Sequence, residues 1–171
     1  MVDKKSNSKQ KYQLPKFLDG RVDRPTYIRW LQRKATAHVK RDRKRVNHTI
    51  SIEEYKMAIH RAVERSAGAD WYTGESLDWE KISTYDNEKS KKGRSEYKAT
   101  FALLPTVDHV LTTNRTYDFV ISSWRANDSK NDLSLEQYIQ LCWKVVNLHG
   151  DKARGLSILD ALDAKHCAAL K

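Results

Sequence analysis

Two strand-like runs constrain the fold of this chain more than any other feature. The first, EYKATFALLPTVDHV, is apolar and β-like and is interrupted at Pro105. The second, YDFVISS, follows after a short polar loop and is rich in residues that favour strands. The surrounding sequence shows helical rather than alternating periodicity. We therefore predict an α+β fold in which a small antiparallel hairpin packs on a helix.

Two amphipathic helical patterns precede the hairpin and predict an additional helical layer. The first follows Asp23, a plausible N-cap, and continues from Pro25 to about Arg45. The second begins with a Ser51–Glu54 capping box and stops at Gly68. Their apolar stripes consist of Tyr27, Ile28, Leu31, Ala35 and Val39 in the first helix, and Tyr55, Ile59, Ala62 and Val63 in the second.

The remaining segments have weaker patterns. A turn at residues 73–76 separates two aromatic runs that suit short strands, and DNEKSKKGRS is predicted as a hydrophilic loop. After the second strand, Ser134 and Gln137 form a capping box that begins a helix continuing to Gly150. Residues 151–171 are predicted as a C-terminal tail or weaker helix.

The net charge of +10 is concentrated at the N-terminal end of the chain. Residues 1–48 hold 15 Lys and Arg against 4 Asp and Glu, a net charge of +11. Residues 49–171 hold 17 against 18, a net charge of −1. This asymmetry predicts a polyanionic partner, and nucleic acid is the first candidate. The alternative is that the basic segment is a solubilising tail. We interpret residues 1–20 as a flexible basic arm and residues 21–68 as a basic helical region that binds nucleic acid.

One face of the first predicted helix is cationic. At 100° per residue, Arg29, Arg33, Lys40 and Lys44 fall in one narrow stripe opposite the apolar residues, and Arg41 adds charge near the helix end. These five residues are the candidates for phosphate contacts. The alternative is an ordinary solvated helix face.

Composition excludes several classes of protein. No apolar run approaches the ~18 residues of a membrane span, and the N-terminus lacks the apolar stretch of a secretory signal. The two cysteines, Cys142 and Cys167, are too few for a four-cysteine zinc ribbon or a disulfide framework. We expect a cytoplasmic protein without a membrane partner.

The residues with the most specific chemistry lie on and after the hairpin. Asp108 and His109 end the first run, and Asn127, Lys130 and Asn131 follow the second at helical spacing. Hydrolysis of a phosphodiester requires an activated water and a group that neutralises charge, which a histidine and one divalent metal can provide. Oxygen ligands from Asp and Asn suit Mg²⁺ or Mn²⁺ better than Zn²⁺. Individually, Asp-His is more often a surface pair and Asn127 a helix cap.

The ordered combination, VDHV followed by NDSK, resembles the ββα-metal (His-Me finger) core of the HNH endonuclease family. The resemblance covers roughly residues 70–145, and YTGESL resembles the segment before that core. It implies a ββα-metal core over residues 69–150, with additional N-terminal helices and a C-terminal helix. It also implies that Asp108 and Asn127 are metal ligands, His109 is the general base and Lys130 holds the scissile phosphate, while Asn131 is an extra candidate ligand.

The chain departs from the family pattern in three places. Asp70 and Ala126 stand where zinc-binding cysteines often occur, so no structural zinc is expected and aromatic packing by Trp71, Tyr72, Trp79 and Trp124 would replace it. The asparagine that orients the base has no clear counterpart, and Asp118 is the nearest residue. The loop after the first strand lacks the usual glycines.

These observations predict a metal-dependent endonuclease that cuts DNA, with RNA as the alternative substrate. The rival interpretation is a non-catalytic nucleic-acid-binding protein that keeps a degenerate HNH fold. A third is a helical partner-binding protein in which Asp-His is incidental. Cutting both strands with one such site would require a homodimer or two successive nicks, and the sequence leaves both open.

Overall fold

A computed structural model describes residues 11–46, 49–113 and 116–153 of the chain. These residues form five α-helices and one two-stranded antiparallel sheet, so the predicted α+β class is confirmed. The chain divides into two compact units, residues 1–129 and residues 130–171. In chain order the elements are α1 (Arg24–Val46), α2 (Ile52–Ser66), α3 (Asn87–Ala99), β1 (Pro105–Thr113), β2 (Thr116–Ser123), α4 (Trp124–Lys130) and α5 (Leu135–Ala153).

Helix α1 has the two faces that its sequence predicts. Its first turn is capped by Asp23, whose Oδ1 accepts the backbone N–H of Thr26 at 2.8 Å. The apolar face is buried, and the cationic stripe predicted opposite to it is exposed to solvent. The buried apolar face consists of Tyr27, Leu31, Ala35 and Val39, and the exposed stripe of Arg29, Arg33, Lys40 and Lys44.

Helix α2 packs against both α1 and β2 and so connects the helical layer to the hairpin. The predicted capping box is present, with Ser51 and Glu54 each accepting the backbone N–H of the other. Tyr55, Ile59 and Val63 are buried, and they join the hairpin residues in one core. The aromatic ring of Tyr55 contacts that of Phe119 on β2, with centroids 5.3 Å apart.

The hairpin register determines which face of β1 points toward the core. Val107 pairs with Ile121 and His109 with Phe119, so these four residues share the face that α2 covers. The register shifts between His109 and Leu111, which marks a β-bulge directly after the histidine. Pro105 is the first residue of β1, a position where its missing N–H is tolerated.

Residues 86–104 differ from the sequence prediction. The hydrophilic stretch predicted as a loop forms α3, because the Asp86 carboxylate caps the backbone N–H groups of Glu88 and Lys89 and the following residues include good helix formers. The helix is kinked at Arg94, which has a φ of 44°. Residues 96–99 are therefore helical rather than extended, and the strand starts only at Pro105.

Residues 11–18 pack on the core of the first unit. Leu18 is fully buried, and Tyr12 is buried and donates its hydroxyl hydrogen bond to Glu53 of α2 at 2.8 Å. The flexible arm predicted for residues 1–20 therefore does not extend over this stretch, because its apolar side chains anchor it. Residues 1–10 lie outside the described part of the chain.

The second unit begins at Lys130, the last residue of α4, and contains α5. The predicted capping box at its start is present, with Ser134 and Gln137 bonded to each other's backbone N–H groups. The helix continues past the predicted end at Gly150 to Ala153, and residues 154–171 are outside the described ranges. Among the described helices, none combines the length and apolar character that a membrane span needs.

Candidate active site

His109 is held by a carboxylate from α1. Its Nε2 lies 2.8 Å from Oδ2 of Asp42, and the Asp42 side chain is only 4% exposed. The same Oδ2 accepts the hydroxyl hydrogen bond of Tyr55 at 2.9 Å. Two donors therefore converge on one buried oxygen, and this arrangement fixes the direction in which Asp42 points at the imidazole.

Two aromatic rings pack against the imidazole. The ring centroid of Phe119 lies 4.8 Å from that of His109, and the ring of His38 lies 4.9 Å away. Because the ring is packed and hydrogen bonded, its orientation is set before any ligand arrives.

The protonation of His109 follows from these contacts. Burial lowers the pKa of His109 below its usual value, and the Asp42 carboxylate opposes that shift by stabilising the charged form. The imidazole is therefore neutral near pH 7. Because a carboxylate only accepts, Nε2 carries the proton and Nδ1 carries the lone pair.

Arg41 lies at the lone-pair side of His109. Its Nη2 is 3.4 Å from Nδ1 of His109 and 2.6 Å from Nδ1 of His38. His38 is buried, and its pKa is lowered far below the usual value, first by burial and then by the Arg41 charge. The Arg41 side chain keeps 46% of its surface exposed, so the guanidinium connects the buried cluster to solvent.

His38, Asp42 and His109 also form a group of potential metal ligands. One ligand atom from each lies within 4.8 Å of the others. Two imidazoles and one carboxylate are a donor set that suits Zn²⁺ rather than Mg²⁺. The Arg41 guanidinium, however, already provides a positive charge at His38, and Asp42 Oδ2 already accepts two hydrogen bonds.

Asp108 is oriented by a tyrosine. Its Oδ2 accepts the hydroxyl hydrogen bond of Tyr72 at 2.5 Å, and its Oδ1 accepts the backbone N–H of His109 at 2.8 Å. The described contacts of the two neighbours thus lie with different elements: His109 with α1, and Asp108 with the segment after α2. This agrees with the alternation of side chains along a strand.

Asp70 holds the Tyr72 segment against the end of the hairpin. The Asp70 side chain is buried, with Oδ1 accepting the N–H of Tyr72 at 2.8 Å and Oδ2 accepting the N–H of Ser123 at 2.9 Å. Asp70 therefore connects this segment to the junction of β2 and α4. Of the aromatic residues named in the sequence analysis, Trp79 is fully buried, whereas Trp71 is 46% exposed.

The three residues predicted on the helix after β2 do not share one face. Asn127 is half-buried within α4, and Lys130 is buried at its last position. Asn131 lies beyond the helix end with a φ of 52°, so the predicted i, i+4 relation to Asn127 on a helix is wrong. The helix stops because Asn131 adopts the left-handed conformation that often terminates helices. Lys130 and Asn131 belong to the second compact unit.

The five predicted phosphate-binding residues divide into two groups. Four of them, Arg29, Arg33, Lys40 and Lys44, are exposed on α1. Arg41 instead reaches into the site, as described above. Asp118, the nearest sequence candidate for orienting His109, is paired with Arg65 of α2 at 2.9 Å and accepts the N–H of Phe119. The carboxylate that is hydrogen bonded to His109 is that of Asp42 instead.

No protein-family model, curated protein or solved structure matches the chain.

Sequence reasoning missed Asp42, although a signal was present. Asp42 is the one acidic residue within α1, in the cationic run KRDRKR. At 100° per residue it falls on the buried face, 40° from His38 and 20° from Ala35. An acidic residue on the apolar face of a basic helix needs a buried partner. Nothing in the local sequence, however, identifies that partner as a histidine 67 residues away.

Proposed function

We propose that this chain is a metal-dependent endonuclease that hydrolyses phosphodiester bonds in DNA, with His109 as the general base. The observation that carries the proposal is the buried hydrogen bond between Asp42 and Nε2 of His109. Asp42 thereby supplies the group that orients His109, a position for which the sequence offered Asp118. A buried carboxylate aimed at a histidine is the arrangement that orients a general base.

The hydrogen bond to Asp42 gives His109 the properties of a base. It directs the proton to Nε2, which leaves the Nδ1 lone pair to accept a proton from water. When His109 becomes charged, the Asp42 carboxylate stabilises the imidazolium. Tyr55 keeps Asp42 in place during this change, because its hydroxyl donates to the same oxygen.

Asp108 and Asn127 are the proposed metal ligands in the first compact unit. Their oxygen donors fit Mg²⁺ or Mn²⁺, and the Tyr72 hydrogen bond orients the Asp108 carboxylate. A bound divalent ion would neutralise charge on the phosphate and stabilise the leaving oxygen. Lys130 and Asn131 stay predictions from the sequence.

Arg41 and the exposed cations of α1 account for substrate binding. Arg41 lies on the Nδ1 side of His109, so a phosphate delivered to the base meets a guanidinium there. Arg29, Arg33, Lys40 and Lys44 would contact the phosphates of the rest of the strand, without reading its sequence. RNA presents the same phosphate chemistry and is the alternative substrate.

The second candidate function is non-catalytic binding of nucleic acid. It is favoured by the position of Arg41, whose Nη2 lies 3.4 Å from Nδ1 of His109, where the attacking water would have to be. In the endonuclease, Arg41 turns toward the phosphate when substrate binds. In the binding protein, it stays and keeps water away.

Nicking of supercoiled plasmid separates the two functions. The purified chain should nick plasmid with Mg²⁺ or Mn²⁺ and bind without cutting in chelator. Asp108→Ala and Asn127→Ala should lose the metal-dependent activity and keep DNA binding. Asp128→Ala is the control, because it removes an exposed acid next to Asn127 on α4, and it should keep both. Binding without nicking under every metal condition would support the non-catalytic function instead.

A further inference from the structure

A cavity of about 540 Å³ lies beside α1, next to the start of β1 and the start of α3. This volume is within the range of small-ligand sites in proteins. The cavity combines cationic, hydroxyl and aromatic side chains. Those that matter here are Trp30, Arg33, Lys34, Tyr85, Thr106 and Trp124.

Lys34 is a half-buried cation in the wall of this cavity. Its Nζ donates to Oγ1 of Thr106 at 3.0 Å and lies 5.8 Å from the ring centroid of Trp30. Burial, together with the charges of Arg33 and Arg41, lowers the pKa of Lys34 to about 8. The ammonium is nevertheless mostly charged at pH 7.

Lys34 has no counter-charge among the described residues. Across the parts of the chain that the structure describes, the charged groups that act on it are the two arginines, and Thr106 is its one hydrogen-bond acceptor. An ammonium has three donors, so two remain for a ligand. A half-buried cation beside other cations is stabilised when an anion joins it. The cavity therefore suits an anionic group.

The other wall of the cavity is aromatic. Tyr85 and Trp124 are both half-buried, and their rings meet edge to face with centroids 5.2 Å apart. Accessible aromatic surface beside a cationic site suits a flat π system, as in proteins that bind unpaired bases. A nucleotide carries both an anionic group and an aromatic ring.

The cavity is also close to the proposed metal ligand Asp108 along β1. Thr106 precedes Asp108 by two residues, so both lie on the same side of the strand, about 7 Å apart along it. We propose that the cavity binds one unstacked nucleotide, with Lys34 and Arg33 at its phosphate and Tyr85 and Trp124 at its base. This inference rests on the proposed function, because the nucleotide would belong to the nucleic-acid strand that the protein binds.

Binding in chelator tests the cavity without cleavage. Quenching of tryptophan fluorescence would be followed with short oligothymidylate, thymidine 5′-monophosphate and inorganic phosphate as probes. Lys34→Met should weaken binding of the oligonucleotide about tenfold or more, because it removes a charged hydrogen-bond donor. Lys91→Met is the matched control, because Lys91 is exposed on α3 and its loss changes the net charge equally.

The aromatic wall has its own variant. Tyr85→Leu should weaken the oligonucleotide about fivefold or more and leave inorganic phosphate unaffected, because it removes only the stacking surface. Thermal unfolding checks that each variant is folded. Equal affinity of the monophosphate and the oligonucleotide would identify a free nucleotide as ligand, whereas a preference for the oligonucleotide would identify a strand.

Two outcomes distinguish this inference from the proposed function. If Lys34→Met binds the oligonucleotide as tightly as Lys91→Met does, the cavity is not a nucleotide site, whatever the nicking activity. If binding depends on Lys34 and Tyr85 but the wild type does not nick plasmid, the cavity stands and the endonuclease proposal fails.

Discussion

Replacing Asp42 by asparagine removes the charge that orients His109 while keeping the size of the side chain. In the native protein, Oδ2 of Asp42 accepts from Nε2 of His109 at 2.8 Å and from Tyr55 at 2.9 Å. When the amide oxygen takes the place of Oδ2, it can accept from both His109 and Tyr55, and the NH₂ group takes the place of Oδ1. The proton therefore stays on Nε2, and what the variant loses is the negative charge beside the imidazole.

The expected effect on catalysis is larger than the effect on stability. When His109 takes a proton from water, the amide no longer stabilises the imidazolium that forms. A hydrogen bond to a charged group contributes about 1.5–3 kcal/mol, so kcat should fall about 10- to 150-fold. In the folded protein His109 is neutral and both hydrogen bonds persist, so the unfolding free energy should change by about 1 kcal/mol or less. A purely structural Asp42 would show no loss of kcat.

Single-turnover nicking of plasmid at saturating DNA measures the rate, and urea unfolding measures the stability. Asp42→Asn should lower kcat and leave KM nearly unchanged, and ¹⁵N NMR should show the imidazole proton still on Nε2, with the pKa of His109 lower than in the wild type. The double variant with His109→Ala should be no slower than His109→Ala alone, because the two residues act as a unit. A folded Asp42→Asn protein that nicks within about threefold of wild type would refute the reasoning.

Three further predictions concern binding and stability. Lys44→Met, on the exposed stripe, should lower the slope of log affinity against log salt by about 0.9, whereas equal affinity at low and high salt would contradict phosphate contact. His38 is buried and neutral, so below about pH 6.5 the unfolded chain binds a proton at this histidine that the folded chain excludes. The unfolding free energy should therefore fall as the pH decreases, by up to about 1.4 kcal/mol per pH unit from this group. Urea titrations of His38→Leu should show a shallower dependence of stability on pH. Asp70→Ala should lower the unfolding free energy by about 3 kcal/mol, because Tyr72 and Ser123 each lose an acceptor; a loss no greater than that of exposed Asp128→Ala would contradict the connecting role.

The elements that local chemistry determines could be predicted from the sequence. The Asp23 cap, the Ser51 and Ser134 capping boxes and the apolar stripe of α1 depend on residues within one or two turns, and all are present. The strand at YDFVISS follows from β-branched content. These are interactions between near neighbours, which a pattern can show.

The errors arise where one residue changes the meaning of its neighbourhood. Asp86 caps the stretch predicted as a loop and makes it helical. Asn131 adopts the left-handed conformation, so α4 ends at Lys130 and the helix does not include Asn131, the additional ligand predicted on it. Leu18 anchors a segment whose composition predicts a free arm. In each case, a single cap, stop or buried side chain outweighs the average character of the segment.

The orienting group of the candidate site required the tertiary structure. The sequence shows that His109 needs a partner and places Asp118 nearest to it along the chain. The structure pairs Asp118 with Arg65 and brings Asp42 from α1 instead. Contacts between residues this far apart in sequence depend on how α1, α2 and the hairpin pack together, and no local pattern specifies that.

The central claim is that His109 is the general base of a metal-dependent endonuclease, and one comparison tests it most directly. Wild type, His109→Ala and His149→Ala would be assayed for Mg²⁺-dependent nicking of supercoiled plasmid and, in chelator, for DNA binding. His149 is an exposed histidine on α5 and provides the matched control. We expect His109→Ala to bind DNA normally and lose nicking, while His149→Ala retains both. A His109→Ala protein that nicks at the wild-type rate would contradict the account.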